Sequence, residues 1–392
     1  MRCPCCNSEM NNFATFPYMD FDGSMFNQEG ILFECEHCQL VSVKRKFTDS
    51  QITEHYANEC LYSEQSGVGV GGSSREDLER YRYYHRLLAD NKLFVDSVVD
   101  VGCSRGGWLN YLHSIYDEKI KLSGIDVDTR SIDQAQGGSI EYSNGDMFNL
   151  PFDDSSKSLL CYFHVLEHVI DIHKVVIELA RVMSDAGAAI IEVPDALQYC
   201  HNDARVGTLF WMAMKEHINH FATQSLYQLL KQHGLHVTAV YHSLLPMKND
   251  KKYPSLSLIV KKTEETSPDV FLEYKQDRIS TMFHKEYERL IGQIEGMVSF
   301  IDDSGSVSFW GIGLEFLLLY PHIRQHVEVK NIILIDINKA KQGLSIDGIQ
   351  IVDPSQATTN GVLICCSFMS NPSIKKAAID LGWEAEQLYF FE

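Results

Sequence analysis

The chain has 392 residues, 45% of them hydrophobic, which predicts two or three domains and a substantial core. Its formal net charge of −19 repels phosphate backbones and anionic lipid, so the composition disfavours a nucleic acid or a membrane as partner. Because the sequence has neither an apolar run of about 18 residues nor an N-terminal apolar signal stretch, we expect a cytoplasmic protein.

The first 38 residues hold five of the eleven cysteines, and four of these form two Cys-x-x-Cys knuckles. The knuckle residues are Cys3, Cys6, Cys35 and Cys38. Each knuckle can place two thiolates on one metal, and the loop between them has the length found in a zinc ribbon. Cys5, and more weakly His37, could replace a neighbouring ligand. The pattern predicts a closed, structural zinc site in a domain over residues 1–55.

Residues 56–97 are predicted to form a lid or linker followed by a lead-in helix. Glycines alternate over residues 67–74 without the lysine of a phosphate-binding loop, which is typical of a mobile segment. The positions that then repeat at helical spacing are Leu78, Tyr81, His85 and Leu88. We expect this helix to lead directly into the first strand of the next domain.

The stretch from residue 98 to residue 108 predicts a buried strand that turns sharply into a helix. An acid ends the β-branched run, and small residues follow it at alternate positions. These residues are Asp100, Gly102, Ser104 and Gly106. Small residues let the backbone approach a ligand closely. A second strand ends about 20 residues later at Asp126, where a carboxylate can accept hydrogen bonds from both hydroxyls of a ribose.

Strands and helices alternate over residues 98–262, which predicts an α/β domain with a doubly wound parallel sheet. The strands are expected near residues 98–101, 121–125, 139–142, 158–163, 187–193, 236–242 and 255–261. His164 follows the fourth strand, at the edge where such sheets bind ligands, and we count it among the cofactor-binding residues. The helix after it is expected to end at Gly187.

Three ionisable side chains follow the fifth strand within five residues: Glu216, His217 and His220. Side chains of this kind are seldom buried for packing alone, so they are candidates for acid–base chemistry. A solvated loop whose histidines cap the following helix is the alternative.

The C-terminal part of the chain predicts a second, smaller domain. Residues 263–302 have an apolar stripe at helical spacing and are expected to form a helical connector. Strand patterns then return at 307–310, 332–336 and 362–366, the first of them followed by glycines and the second ended by an acid. We therefore expect a Rossmann-like domain over residues 303–392.

Two of these segments resemble those of a known enzyme class. The Asp-x-Gly-x-Ser-x-Gly turn over residues 100–106 is similar to motif I of class I S-adenosylmethionine (SAM) methyltransferases. Asp146 and Met147 match the segment that, in that family, binds adenine through an acid and an apolar side chain. The resemblance implies SAM as cofactor.

Over nearly its whole length the chain resembles the zinc-containing C-methyltransferases that act on nucleotide-linked deoxy-ketosugars. The resemblance rests on the ribbon, on His-x-x-Glu-His after the fourth strand, on Glu-His-x-x-x-Phe after the fifth and on the C-terminal domain. It implies that Glu216 and His217 face the sugar. His217 is then the expected proton acceptor, oriented by Glu216, with Tyr62 or His220 near the acceptor. The family's usual tyrosine two residues before the glutamate is Met214 here.

The expected function is therefore C-methylation of a nucleotide-linked ketosugar by a monomeric or dimeric enzyme with one structural zinc ion. A sugar O-methyltransferase is the first alternative, since one base at a hydroxyl suffices for it. An RNA base methyltransferase is the second alternative. The acidic net charge and the third domain argue against it. The third is a catalytically silent SAM-fold scaffold.

Overall fold

A computed structural model of the chain describes residues 1–60, 71–135, 138–200, 207–247, 251–263, 278–302, 306–367 and 370–391. The chain divides into two compact units. The first comprises Met1–Phe13, Leu32–Gly207 and His217–Ile279, and the second comprises Ala14–Ile31, Thr208–Glu216 and Ser280–Glu392. Among the described helices, none is both long enough and apolar enough to cross a membrane.

The regular elements alternate along much of the chain. The strands are β1 (Met10–Pro17), β2 (Glu29–Cys35), β3 (Val41–Lys44), β4 (Ser97–Val101), β5 (Lys121–Asp126), β6 (Glu141–Asn144), β7 (Lys157–Phe163), β8 (Met183–Pro194), β9 (Asn219–His220), β10 (His236–Pro246), β11 (Lys252–Lys261), β12 (Val307–Trp310), β13 (Ile332–Ile335), β14 (Ser345–Ile346), β15 (Ile349–Val352), β16 (Val362–Cys365) and β17 (Leu388–Phe390). The α-helices are α1 (Asp49–Asn58), α2 (Arg75–Asp90), α3 (Gly107–Tyr116), α4 (Thr129–Gln134), α5 (Ile172–Val182), α6 (Thr208–Met212), α7 (Thr223–Gln232), α8 (Ile279–Asp302), α9 (Leu314–Ile323) and α10 (Asn371–Asp380).

The first unit is built around a seven-stranded sheet of order β10-β11-β8-β7-β4-β5-β6. Strands β4 to β8 run parallel to their neighbours, whereas β11 is antiparallel to both β8 and β10. The order reverses between β4 and β7, and a crevice at such a switch point is where doubly wound sheets bind ligands. The sheet confirms the predicted α/β, doubly wound fold and each of its seven predicted strands, but the prediction of a parallel sheet is wrong for β10 and β11, which pair antiparallel.

The end of α5 differs from the prediction. The helix ends at Val182, and β8 already begins at Met183, well before Gly187. Met183 pairs with Lys157, after which the register shifts so that Leu159 pairs with Ala188. Because the extra residues of β8 form an irregularity, Gly187 lies within the strand and does not end the helix.

Two further sheets complete the fold. One has the order β1-β2-β3-β9, and its β3–β9 pair joins Val41 to His220 and Ser42 to Asn219. The other belongs to the second unit and has the order β14-β15-β13-β12-β16-β17, parallel except for the β14–β15 hairpin. The predicted C-terminal strands therefore form a largely parallel sheet, and all the predicted domain boundaries stay a prediction.

Candidate active site

The turn after β4 has the backbone conformation that its small residues predict. The φ angles are 77° at Gly102, 48° at Ser104 and 71° at Gly106, all in the left-handed region. A Cβ atom at Gly102 would lie 2.9 Å from Cγ2 of Val165, and one at Gly106 would overlap the ring of Tyr142. Glycine is therefore required at both positions by conformation and by packing.

Asp126, at the end of β5, connects its strand to this turn. One carboxylate oxygen accepts a hydrogen bond from the Ser104 N–H at 2.7 Å, and the other accepts one from the Asp128 N–H at 2.9 Å. Burial raises the pKa of Asp126. Each oxygen keeps a second lone pair, so the carboxylate can still accept hydrogen bonds from two ribose hydroxyls.

Asp100, near the end of β4, is only 5% exposed. Burial, and then the negative charge of Asp126, raise its pKa to about 8. Among the described residues, neither carboxylate has an ion-pair partner. A buried acid and a half-buried acid, neither with a protein cation among the described residues, form a site that suits a positively charged ligand.

The predicted adenine segment follows β6. One oxygen of Asp146 accepts hydrogen bonds from the N–H groups of Phe148 at 2.8 Å and Asn149 at 3.1 Å, which fixes the turn. Met147 is half-buried and packs against the core of the sheet. The roles of both residues in adenine binding stay a prediction.

His164 lies just after β7 with a φ of 56°, a strained conformation for this residue. Its Nδ1 atom is 3.0 Å from Oε1 of Glu167, and its Nε2 atom is 3.2 Å from Oε1 of Glu192. Burial disfavours the charged ring, but the hydrogen bonds to both glutamates outweigh it and raise the pKa to about 9. His164 is therefore a half-buried group whose imidazolium form the two glutamates stabilise. Its predicted contact with the cofactor stays a prediction.

Glu192, on β8, is fully buried and compensates this charge. It accepts hydrogen bonds from the hydroxyls of Tyr84 at 2.7 Å, Ser257 at 2.9 Å and Tyr253 at 3.2 Å. Burial raises its pKa, but the hydrogen bond from His164 prevails and the net shift is downward. The sequence alone assigned no role to Glu192.

The candidate base His217 is held near this edge by backbone hydrogen bonds. The N–H of Ile218 donates to the carbonyl of Glu167 at 2.7 Å, and the N–H of Val43 donates to the carbonyl of Ile218 at 2.8 Å. The ring centroid of His217 lies 5.0 Å from that of His168 and 5.9 Å from that of His220. Three segments, from β3, from the end of β7 and from β9, thus meet at one cluster of imidazoles.

Both candidate histidines are neutral at physiological pH. Burial, followed by repulsion from His168 and His220, lowers the pKa of His217 well below its ordinary value. Burial, followed by repulsion from Arg45, lowers that of His220 to about 3. The Nδ1 atom of His220 is 3.0 Å from the Tyr199 hydroxyl. The alternative of a solvated loop is wrong for these two residues, because His217 is 7% exposed and His220 1%.

Glu167 and His168 belong to the same cluster, although from the sequence they were named only as members of the His-x-x-Glu-His motif. They lie on a 3-10 turn, Leu166–His168, and each offers a ligand or proton-accepting atom within 4.8 Å of one on His217. The hydroxyl of Tyr56 is 2.9 Å from Nδ1 of His168. The spacing His-x-x-Glu-His was the signal for this arrangement, since it sets three polar side chains on one tight turn.

These contacts do not test the roles of the other two predicted catalytic residues, Glu216 and Tyr62. Glu216 belongs to the second compact unit, where its carboxylate lies 3.8 Å from Nζ of Lys215. Its role as the group that orients His217 stays a prediction. Tyr62 lies outside the described residues.

The four knuckle cysteines converge on one point of the first unit. The Sγ atoms of Cys3 and Cys38 are 3.5 Å apart, as are those of Cys6 and Cys35, and all four lie within 4.8 Å of one another. Sulfur atoms about 2.3 Å from a tetrahedral zinc ion would be roughly 3.8 Å apart, so the set fits zinc. Cys5 is fully buried outside this set, and burial raises its pKa.

The sequence matches known methyltransferases over its central part. A family profile described as "Methyltransferase domain" matches residues 75–240. Ajmaline N-methyltransferase from Rauvolfia serpentina is 28% identical over 115 residues, which are 27% of this chain and 37% of that protein. A probable tocopherol O-methyltransferase, chloroplastic, from Oryza sativa subsp. japonica is 34% identical over 113 residues, 27% of this chain and 30% of that protein.

The chain thus spans about a third of the length of these curated relatives. A solved SAM-dependent methyltransferase from Methanosarcina mazei is similar with a TM-score of 0.37 and 19% identity, covering 45% of this chain and 96% of that one. The family match encloses the glycine turn, Asp100, Asp126 and the histidine cluster. Residues 75–240 therefore match a methyltransferase domain and contain a doubly wound α/β sheet.

Proposed function

We propose that the protein transfers a methyl group from SAM to a nucleotide-linked sugar, at the carbon next to a ketone. The observation that carries the cofactor part is the pair of acids beside the glycine turn, the buried Asp100 and the half-buried Asp126. SAM carries a sulfonium and an ammonium group, and this chain offers two carboxylates without a protein cation among the described residues. Charge complementarity in a buried site favours such a ligand strongly.

The residues that would hold SAM come from the ends of three neighbouring strands. Asp126 would accept hydrogen bonds from the ribose hydroxyls, and Asp146 and Met147 would bind the adenine. Asp100 would face the positive charge of the cofactor. When bound, SAM supplies an electrophilic methyl group, so the protein needs only to place the acceptor in line and to remove a proton.

Proton removal is assigned to His217. Its imidazole is unprotonated at neutral pH and can accept the proton from the carbon next to the ketone. The imidazolium that forms would lie within reach of Glu167, whose carboxylate is part of the same cluster. His164, already a cation, would keep that carboxylate in place. Glu216 and His220 remain candidates for a supporting role.

Oxygen methylation of a sugar is the second candidate. It needs one base at a hydroxyl and no stabilised enolate, and the same histidine would serve. The similarity to both an O-methyltransferase and an N-methyltransferase, together with Met214 in place of the tyrosine typical of the C-methyltransferases, supports keeping it.

The cysteine cluster is proposed to bind one structural zinc ion per chain. Four thiolates close the coordination shell, leaving no position for a substrate. The cysteine cluster belongs to the same compact unit as β3. Strand β3 pairs with β9, the strand that contains His220. The ion would therefore stabilise the strand that supports the histidine cluster.

The test combines cofactor binding with product analysis. The full chain is incubated with SAM and a panel of nucleotide-linked ketosugars, and the products are examined by mass spectrometry and NMR. A new carbon–methyl bond, with exchange of the neighbouring proton for deuterium in D₂O before SAM is added, is the expected result. A methyl group found on oxygen would establish the second candidate. Absence of SAM binding in calorimetry would overturn the proposal.

A further inference from the structure

Glu167, His168 and His217 have the composition of a metal site distinct from the four cysteines. One donor atom from each residue lies within 4.8 Å of the others. Two imidazoles and one carboxylate suit a divalent cation of the zinc or ferrous type, and three protein ligands leave a position open. Tetrahedral donors about 2.1 Å from an ion are roughly 3.4 Å apart, so small side-chain rotations would close the site.

The carboxylate of Glu167 is the second, independent indication. The side chain is 1% exposed, and one of its oxygens, Oε1, is 3.0 Å from Nδ1 of His164. The other oxygen, Oε2, is buried and accepts no hydrogen bond from any residue that the structure describes. A buried carboxylate oxygen in this state has lost its hydration without compensation, and a bound ligand would supply that compensation.

Hydrogen-bond partners orient both proposed ligands on the tight turn, His168 and Glu167. With Nδ1 of His168 protonated and directed at the Tyr56 oxygen 2.9 Å away, the ring is held with Nε2 facing Glu167, 3.9 Å from its Oε1. His164 orients Glu167 in a similar way. Its ring contacts Oε1, so that Oε2 can coordinate an ion. Partners of this kind orient the ligands in most protein metal sites.

Arg45 carries a positive charge that opposes the binding of a cation at this site. Its guanidinium is close enough to the cluster for its charge to act on both His217 and His220. The same charge weakens binding of a bare cation and favours an anionic oxygen in the open position. The site should therefore bind its ion reversibly, more weakly than four thiolates bind zinc.

We propose that Glu167, His168 and His217 form an exchangeable site for a divalent transition-metal ion. An ion bound there takes the lone pair of His217, so the filled site is incompatible with proton removal by that residue. This consequence rests on the proposed role of His217 as base, whereas the metal binding itself does not. The ion would then act as a reversible inhibitor of methyl transfer.

The experiment counts metal ions bound to the full chain without SAM or acceptor. The purified protein is dialysed to equilibrium against Zn²⁺ or Co²⁺, and metal per chain is measured by elemental analysis. We expect two ions in the wild-type chain and one in a Cys35→Ser/Cys38→Ser chain. Glu167→Gln and His168→Gln should each lose the second ion and keep the first. Tyr56→Phe should bind the second ion about tenfold more weakly.

A matched control is available on the same unit. Nδ1 of His173 lies 2.8 Å from Nε2 of His233, so the two form a histidine pair outside the cluster. A His233→Gln chain should still bind two ions. One ion in the wild-type chain, or two in both Glu167→Gln and His168→Gln, would overturn the proposal. Retention of the cysteine-bound ion and of SAM binding shows that each variant is folded.

Discussion

Asp336 in the C-terminal sheet repeats the hydrogen bonds that Asp126 makes in the seven-stranded sheet. Asp126 accepts from Ser104 N–H at 2.7 Å and Asp128 N–H at 2.9 Å, and Asp336 accepts from Ile312 N–H at 2.9 Å and Asn338 N–H at 2.8 Å. In both sheets an acid at the end of one strand fixes the turn after its neighbour.

The two acids differ in what neutralises them. Nζ of Lys341 is 3.2 Å from the Asp336 carboxylate and 2.7 Å from the carbonyl of Ile312. Asp126 has no such cation among the described residues. Only the first turn is therefore expected to bind a cationic nucleoside.

We predict one SAM molecule per chain, bound through Asp126. Asp126→Ala should weaken SAM binding by about tenfold to a hundredfold, because a charged acceptor of two hydroxyl hydrogen bonds is lost. Asp336→Ala is the matched control and should leave the affinity unchanged. Isothermal calorimetry measures both. Equal affinities for Asp126→Ala and the wild-type chain would contradict the assignment.

SAM affinity should depend on pH through Asp100. Its pKa is about 8 in the unliganded chain, so it is largely protonated at pH 6 and must lose its proton to face a cation. The affinity should rise between pH 6 and pH 7.5, by up to about tenfold per pH unit. Calorimetry in two buffers of different ionisation enthalpy would detect the released proton. A pH-independent affinity would exclude this role.

Asp100→Asn should have opposite effects on binding and stability. Because the folded pKa of about 8 exceeds the ordinary 3.8, Asp100 costs the folded chain stability progressively as the pH rises from about 4 to about 8, and the loss is complete above pH 8. The asparagine removes that cost, so at pH 8 we expect a higher midpoint of thermal unfolding, by about 2–4 °C for each kcal/mol removed. SAM binding should weaken in the same chain.

His164 should contribute a pH-dependent stability of its own. Since its folded pKa of about 9 exceeds the ordinary 6.5, its contribution is fully present below pH 6.5 and is lost as the pH rises through 9. We expect a loss on the order of 3 kcal/mol in the free energy of unfolding. Urea unfolding of wild-type and His164→Gln chains at pH 6 and pH 9.5 isolates it, because Asp100 contributes equally to both.

Removing the cysteine-bound zinc should reduce stability before it affects SAM affinity. A Cys35→Ser/Cys38→Ser chain should lose one zinc ion and unfold at a lower temperature, because closed zinc sites contribute to folding directly. Metal analysis and calorimetric scans measure the two effects. Full zinc retention in this chain would show that other residues are the ligands.

His217→Gln should lower methyl transfer by about 10²–10⁴-fold, which is the usual contribution of a general base. SAM affinity should stay near the wild-type value, since His217 is assigned to the acceptor side. Glu216→Gln, tested in parallel, measures whether the neighbouring carboxylate orients the base. Near-normal turnover of His217→Gln with loss of activity in His168→Gln would move the base to the end of β7.

The sequence was sufficient to predict the sheet, since buried parallel strands are nearly continuous apolar runs. Val98 and Val99 on β4, and Ile190 and Ile191 on β8, are fully buried. The end of α5 was not predictable in the same way. The pairing of Met183 with Lys157 is a tertiary contact, and it overrode the local signal at Gly187.

The site was predictable where it depends on local motifs and unpredictable where distant segments meet. The turn at Gly102 and the four knuckle cysteines follow from spacing. The contact between Glu167 and His164 also lies within one motif. The raised pKa of His164 depends in addition on Glu192, which comes from another strand. The pKa of Asp100 depends on burial, which no sequence pattern specifies.

The pairing of β3 with β9 has a consequence for synthesis of the chain. The hydroxyl of Ser42 donates to Oδ1 of Asn219 at 2.7 Å, across a sequence separation of 177 residues. During translation, the edge of β3 that pairs with β9 stays unpaired until residue 220 has emerged from the ribosome. Unpaired strand edges promote aggregation. Early capture of zinc would keep the nascent ribbon compact during that interval, so metal supply during translation should influence the yield of soluble protein.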